Sequence, residues 1–140
     1  SSIMKQEILF MPFFGWAISR LQPISINRKL KYESLKKVIS VGGKRIRSGY
    51  AILVFPEGTR NEPNSGIGKF GNSCGILAAN ESVPIIPVCH NAGKYWINRS
   101  FKKKAGTISV IVGKPISGNN PKDLTERAQS WVSKTHTIIN

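Results

Sequence analysis

Ala51-Ile-Leu-Val-Phe55, followed at once by Pro56-Glu-Gly-Thr-Arg60, decides how the 140 residues are read. Five consecutive apolar residues are too few for a helix and rich in strand formers. They predict a strand covered on both faces, with the polar residues at its carboxyl end. Ligands of α/β sheets sit at that end. Pro56 cannot continue a ladder, Gly58 lets backbone approach a ligand closely, and Arg60 offers a planar fork of donors matched to a phosphate or carboxylate. The expected guest is an anion.

Working outward, Ile24 and Ile26 in Pro23-Ile-Ser-Ile-Asn-Arg28 alternate as a short strand that delivers Asn27 and Arg28 beyond its end. Residues 30–47 read as an amphipathic helix, with Leu30, Leu35, Val38, Ile39 and Ile46 near one face and a break expected at Gly42-Gly43. A helix between short strands is the signature of a βαβ unit and a parallel sheet. Downstream, turn formers fill residues 61–66, and residues 70–80 predict a helix that packs Ile76, Leu77, Ala78 and Ala79 against the sheet. Residues 83–88 and 107–112 are two further strands. Residues 121–136 form a last helix, with Asn120 as its cap, Pro121 at its first position and Asp123 near its amino end. Its core face is Leu124, Ala128, Trp131, Val132 and Thr135.

Phe55-Pro-Glu-Gly-Thr-Arg60, followed after a helix by Val83-Pro-Ile-Ile-Pro-Val88, resembles the third and fourth sequence blocks of the glycerolipid acyltransferases, in particular the bacterial 1-acyl-glycerol-3-phosphate acyltransferases. Pro23 to Arg28 is similar to their second block. His90-Asn-Ala-Gly93 and Gly106-Thr-Ile-Ser-Val-Ile-Val-Gly-Lys-Pro115 fit the pattern downstream. The resemblance implies one α/β domain over residues 1–140, a mostly parallel central sheet flanked by helices, lacking its first elements. It implies transfer of a fatty acyl group from acyl carrier protein or acyl-CoA to the sn-2 hydroxyl of 1-acyl-glycerol-3-phosphate. Arg28 and Arg60 would hold the acceptor's phosphate. Asn27, where the family usually has Asp, supports that site with Glu57, Gly58, Thr59 and Pro87, while His90 and Asn91 would line the pocket. The resemblance further implies no metal and no cofactor beyond the thioester donor. The expected partners are lysophosphatidate, the donor and an anionic membrane surface, with no nucleic acid, and the expected location is the cytoplasmic face of the bacterial inner membrane.

The family's catalytic block, a His and an Asp separated by four residues, is not among these residues. The histidines are His90 and His136, the aspartate is Asp123, and the fifth residue after His90 is Tyr95. Residues 1–14 resemble the segment just downstream of that pair, so the chain is expected to begin after it and to be inactive alone.

Twenty-one basic against seven acidic residues give a formal charge of +14, which favours polyanions such as phospholipid surfaces or nucleic acid. A non-enzymatic basic module is therefore the alternative reading. Tyr95-Trp96, Arg99, Phe101 and Lys102-Lys-Lys104 would serve it as a stacking platform or an interfacial anchor. Residues 8–18, the most apolar stretch, are broken by Pro12 and fit either a lipid interface or a buried, kinked helix. Cys74 and Cys89 have no nearby partner cysteine and suggest neither a zinc site nor a disulfide framework. Gly71-Asn-Ser-Cys-Gly75 matches the nucleophile elbow of serine hydrolases, with Asp123 and His136 following in triad order. The segment before Ser73 is a poor strand, so an esterase is the minor alternative.

Overall fold

The structure, a computed structural model, describes residues 1–27, 30–59, 65–97 and 101–139, which form two compact units, Ser1–Phe55 and Pro56–Asn140. In the first unit, β1 (Ile3–Lys5) leads through a 3-10 turn (Gln6–Phe10) and α1 (Phe14–Ser19) to β2 (Ile24–Ile26), then α2 (Lys31–Arg47). β1 and β2 are parallel, with Ile3 opposite Ile24 and Lys5 opposite Ile26. On the other side of β1, Ser2 bridges Leu53, also parallel. Leu53 N–H donates to the Ser1 carbonyl at 2.8 Å and Ile3 N–H to the Leu53 carbonyl at 3.3 Å. The parallel connections expected of βαβ units are thus present, with β1 in the middle.

The apolar run at 51–55 differs from its expectation. It contributes a single bridge at the outside of this ladder, and exposure alternates along it. Leu53 is 54% and Phe55 63% exposed, whereas Ile52 and Val54 are half-buried. One face is covered instead of two, as the alternation of half-buried Ile52 and Val54 with exposed Leu53 and Phe55 shows. A continuous apolar run does not distinguish these cases.

α2 runs unbroken through Gly42 and Gly43, which are both buried. The propensity cost of about 1 kcal/mol per glycine is smaller than what a cooperative 17-residue helix gains by laying Val38 against the β2 layer. The helix ends instead at Gly49, whose φ of 85° closes a Schellman turn. Tyr50 N–H reaches the Arg45 carbonyl at 3.0 Å, and Gly49 N–H the Ile46 carbonyl at 2.9 Å. Lys44, Arg45 and Arg47 complement the negative end of the helix dipole.

The stretch at 8–18 is not a buried helix. It folds as two short turns of helix hinged at Pro12, with Phe10, Met11, Phe13, Phe14 and Trp16 all exposed. Phe13 and Trp16 pack edge to face, 5.5 Å between centroids. Gly15 alone is buried there, and a Cβ on it would lie 2.2 Å from the Leu9 carbonyl oxygen.

In the second unit, α3 (Ser73–Glu81), β3 (Val88–His90), α4 (Ala92–Tyr95), β4 (Val110–Val112) and α5 (Pro121–Ile139) follow a turn at Pro56-Glu57. β3 and β4 are antiparallel, Val88 opposite Val112 and His90 opposite Val110, and Ile85 bridges Ile116 in the same sense. Pro84 and Pro87, which lack N–H groups, leave residues 83–87 one bridge and push the regular strand to 88–90.

α5 is capped by Asn120, whose Oδ1 accepts from the N–H groups of Lys122 (2.9 Å) and Asp123 (3.1 Å). Leu124, Ala128, Val132 and Thr135 are its buried stripe. α3 packs on α5 and not, as expected, chiefly on a sheet. Ala78, Ile116, Leu124 and Ala128 form one core cluster, and Phe70, Cys89 and Val132 a second. Small residues at Gly75 and Ala78 let the two helices approach closely. Among the described residues no helix is long and apolar enough to cross a membrane.

Candidate functional site

β2 ends at Ile26, and Asn27 just beyond it is exposed. Its carbonyl accepts from Leu30 N–H at 3.0 Å and from the Ser34 hydroxyl at 2.6 Å, so the start of α2 is tied back to the strand end. Beside it lies a recess of about 190 Å³ lined by Gln6, Ser25, Asn27, Glu33, Ser34 and Lys37, among others. Lys37 Nζ donates to Ser25 Oγ at 3.3 Å, which brings a cation to the recess beside the Glu33 carboxylate. Arg28 itself lies outside the described residues.

In the other unit, Pro56-Glu57 form a turn and Gly58 adopts a φ of 68°, a left-handed conformation that a side chain would strain. Gly58 and Thr59 are exposed; Arg60 lies outside the described residues, so the expected meeting of Arg28 and Arg60 does too. The turn is held at two points. Gly71 N–H donates to the Pro56 carbonyl at 2.8 Å, and Glu57 Oε2 accepts from Gly68 N–H at 2.8 Å. Glu57 is half-buried, and its main visible role is to anchor the loop. Burial pushes the Cys89 thiol above its ordinary range, and the Glu57 carboxylate adds to the shift.

Pro87 is buried, and its carbonyl accepts from Gly113 N–H at 2.8 Å. His90 is exposed at the end of β3, where its Nδ1 accepts from Ala92 N–H at 3.3 Å. Asn91, expected on a pocket wall, is only 6% exposed and committed to the backbone. Its Nδ2 donates to the Ile139 carbonyl at 3.1 Å, and its Oδ1 accepts from Ser109 N–H at 2.9 Å. A buried amide needs such partners, and here they tie β3 to the approach to β4 and to the end of α5.

The end of β2 with Asn27 just beyond it, and the braced turn at Pro56-Glu57, are the features to compare with known proteins. The family model described as Acyltransferase matches residues 1–91, which contain both features. The chain belongs to the acyltransferase family. It is 40% identical to the 1-acyl-sn-glycerol-3-phosphate acyltransferase of Pseudomonas aeruginosa over 145 residues, covering 100% of this chain and 56% of that one. It is 27% identical to the human beta enzyme of the same designation, covering 87% of this chain and 45% of that one. In three dimensions it resembles the Thermotoga maritima 1-acyl-sn-glycerophosphate acyltransferase PlsC, with a TM-score of 0.80 at 21% identity over 99% of this chain and 56% of that one, which shows the α/β acyltransferase fold. The chain spans about half the length of the curated relatives it matches.

The acyltransferase chain does not contain the esterase arrangement. Ser73 opens α3 directly from irregular backbone, with no strand before it. Asp123 and His136 are both on α5, thirteen residues or about 20 Å of helix apart, too far to act on one imidazole. Asp123 accepts from Arg127 at 3.2 Å. Gly75, the last glycine of the apparent elbow, is there for packing: a Cβ would lie 2.0 Å from the Pro121 carbonyl oxygen and 2.3 Å from Thr125 Oγ1. Among the described residues no group of three His, Cys, Asp or Glu side chains is placed to hold a metal.

The acyltransferase residues that the sequence left unmarked are Ser34, Gly68 and Gln129. Ser34 holds the Asn27 carbonyl through its hydroxyl, Gly68 holds Glu57 through its N–H, and Gln129 holds Gly68 through its amide; no motif spacing connects them.

Proposed function

We propose that the protein containing these residues acylates the sn-2 hydroxyl of 1-acyl-glycerol-3-phosphate, using acyl carrier protein or coenzyme A thioesters as donors and yielding phosphatidate. The single observation that carries the reading is 40% identity, over the whole of this chain, to a 1-acyl-sn-glycerol-3-phosphate acyltransferase. In the reaction the acceptor oxygen attacks the thioester carbonyl, its proton passes to a base, the C–S bond breaks, and the thiolate leaves and is protonated. Arg28 and Arg60 supply charge-assisted bonds to the acceptor's phosphate, which fixes the hydroxyl before attack. Glu57 holds the turn that carries Arg60, and Gly58 gives it its left-handed bend.

The base is assigned to a His-x4-Asp pair outside these 140 residues, so the role of this segment is to bind and orient the acceptor. Association with an anionic membrane at the cytoplasmic face of the inner membrane completes the proposal. A charge of +14 and the exposed ridge of Phe10, Phe13 and Trp16 support it, since aromatic side chains favour the headgroup boundary.

The test is phosphatidate formation by the full-length protein from lysophosphatidate and acyl-carrier-protein or coenzyme A thioesters. Arg60→Ala should raise the KM for lysophosphatidate by about 10- to 100-fold, the scale of one or two lost charged hydrogen bonds. The 140-residue polypeptide should form none. Unchanged saturation by the acceptor in Arg60→Ala would remove the phosphate assignment.

A further inference from the structure

The Pro56-Glu57 turn is braced from a distance. Gly68, whose N–H donates to Glu57 Oε2 at 2.8 Å, also presents its carbonyl to the Nε2 of Gln129 at 3.2 Å. The same Gln129 takes the N–H of Phe70 on its Oε1, at 3.3 Å. One side-chain amide thus uses its donor and its acceptor on two residues of a segment that has no regular secondary structure. Besides that amide, residues 67–70 are held by the packing of Ile67 and Phe70 beside Val132 and by the Glu57 bond. Gln129 is half-buried on α5, between the buried Ala128 and the Trp131-Val132 pair that packs beside Phe70. Its backbone is fixed by a capped 19-residue helix, so the amide is presented from a rigid support. The order of dependence runs from α5 to Gln129, to Gly68, to Glu57, and so to the Pro56-Glu57 turn.

We infer that Gln129 is a positioning residue for acceptor binding. Through Gly68 it holds the Glu57 carboxylate, and with it the Pro56-Glu57 turn that stands just before Arg60 in the sequence. It touches no reacting atom. The inference rests on the reading of that turn as the phosphate-binding element. It predicts that the loss of one amide, far along the chain from the motif, weakens acceptor binding without slowing the chemical step.

Gln129→Met keeps the length and bulk of the side chain and removes both hydrogen bonds. In the full-length protein it should raise the KM for lysophosphatidate about tenfold, the scale of one net hydrogen bond, with kcat within about twofold of the parent. A purely structural role would lower the thermal midpoint and the active fraction and leave KM alone. The second readout needs no activity. Phe70 N–H must exchange faster with solvent in Gln129→Met simply because its acceptor is gone, but Gly68 N–H bonds to Glu57, not to Gln129. Faster exchange at Gly68 therefore reports transmission to the turn. Gln129→Glu serves as a second variant that keeps an acceptor for Phe70 and sets a carboxylate against the Gly68 carbonyl; it should reproduce the faster Gly68 exchange. If the parent protein shows no acyl transfer, the functional reading fails and the exchange experiment still decides the positioning role. Parental Gly68 exchange in both variants, or a parental KM in an active and folded Gln129→Met protein, overturns the inference.

Discussion

Gly75→Ala should destabilise the protein although it replaces a helical glycine by the best helix former. Alanine at an ordinary interior position of α3 would gain about 1 kcal/mol from backbone propensity. At residue 75 the added carbon would stand 2.0 Å from the Pro121 carbonyl oxygen, 2.3 Å from Thr125 Oγ1 and 3.0 Å from the Pro121 carbonyl carbon. Two of these atoms are backbone in the first turn of α5, so no rotamer relieves the overlap. Relief requires α3 and α5 to separate by about an ångström, which loosens Ala78 and Leu124, both buried in the shared cluster. Overpacking of this severity costs about 3 kcal/mol, at the upper end of the usual range. The net loss is then about 2 kcal/mol, or a thermal midpoint lower by about 4–8 °C for a cooperative unit of 150–250 residues. The assay is thermal and urea unfolding of the full-length protein, with Gly71→Ala as the comparison, since the nearest atom to a Cβ there is the Pro56 carbonyl oxygen at 3.5 Å. An equal or higher midpoint in Gly75→Ala would refute the argument that close helix contact selects glycine at this position.

Asn91→Ala should cost about 2–3 kcal/mol, because Ser109 N–H and the Ile139 carbonyl lose their partner; full stability with a loss of acceptor binding would instead return Asn91 to a pocket wall. Phe13→Ser combined with Trp16→Ser should weaken sedimentation with anionic phosphatidylglycerol vesicles about 30-fold, since part-burial of two aromatic side chains is worth about 2 kcal/mol, and parental binding would remove the ridge from the membrane surface. Burial raises the pKa of the Cys74 and Cys89 thiols in the folded state, which therefore holds their protons more tightly than the unfolded chain. The stability this contributes is fully present below the unfolded thiol value of about 8.5 and is lost as pH rises through the folded values. Replacing both cysteines by alanine should flatten the alkaline fall in unfolding free energy above that pH, and an unchanged slope would assign the fall to other groups.

The elements most legible in the sequence were those whose signals are local. Asn120, Pro121 and Asp123 mark the start of α5, and its stripe of Leu124, Ala128, Val132 and Thr135 follows from helical spacing alone. The order of the Pro23 to Arg28, Phe55 to Arg60, Val83 to Val88 and downstream His90 and Gly106 to Pro115 segments was enough to identify the family, because each is a short run of particular residue types. Signals that were equally local misled where a neighbour decided the outcome. Gly42-Gly43 resembles a helix break, yet Gly49 ends the helix, because a Schellman turn needs one left-handed residue and the buried pair does not. Gly71 to Gly75 resembles a nucleophile elbow until α5 is seen lying against Gly75.

What the sequence determined by itself was therefore chemistry set by contiguous residues: helix caps, periodic apolar faces and the two arginine-bearing motifs of an acyltransferase. Only the tertiary structure decided which side chains hold those motifs in place. Gln129 lies 61 residues from Gly68, Ser109 lies 18 from Asn91, and neither pairing leaves a periodic trace. Hydrogen bonds to backbone groups require proximity and orientation but no particular residue on the backbone side, so nothing along the chain records them until the fold brings the partners together.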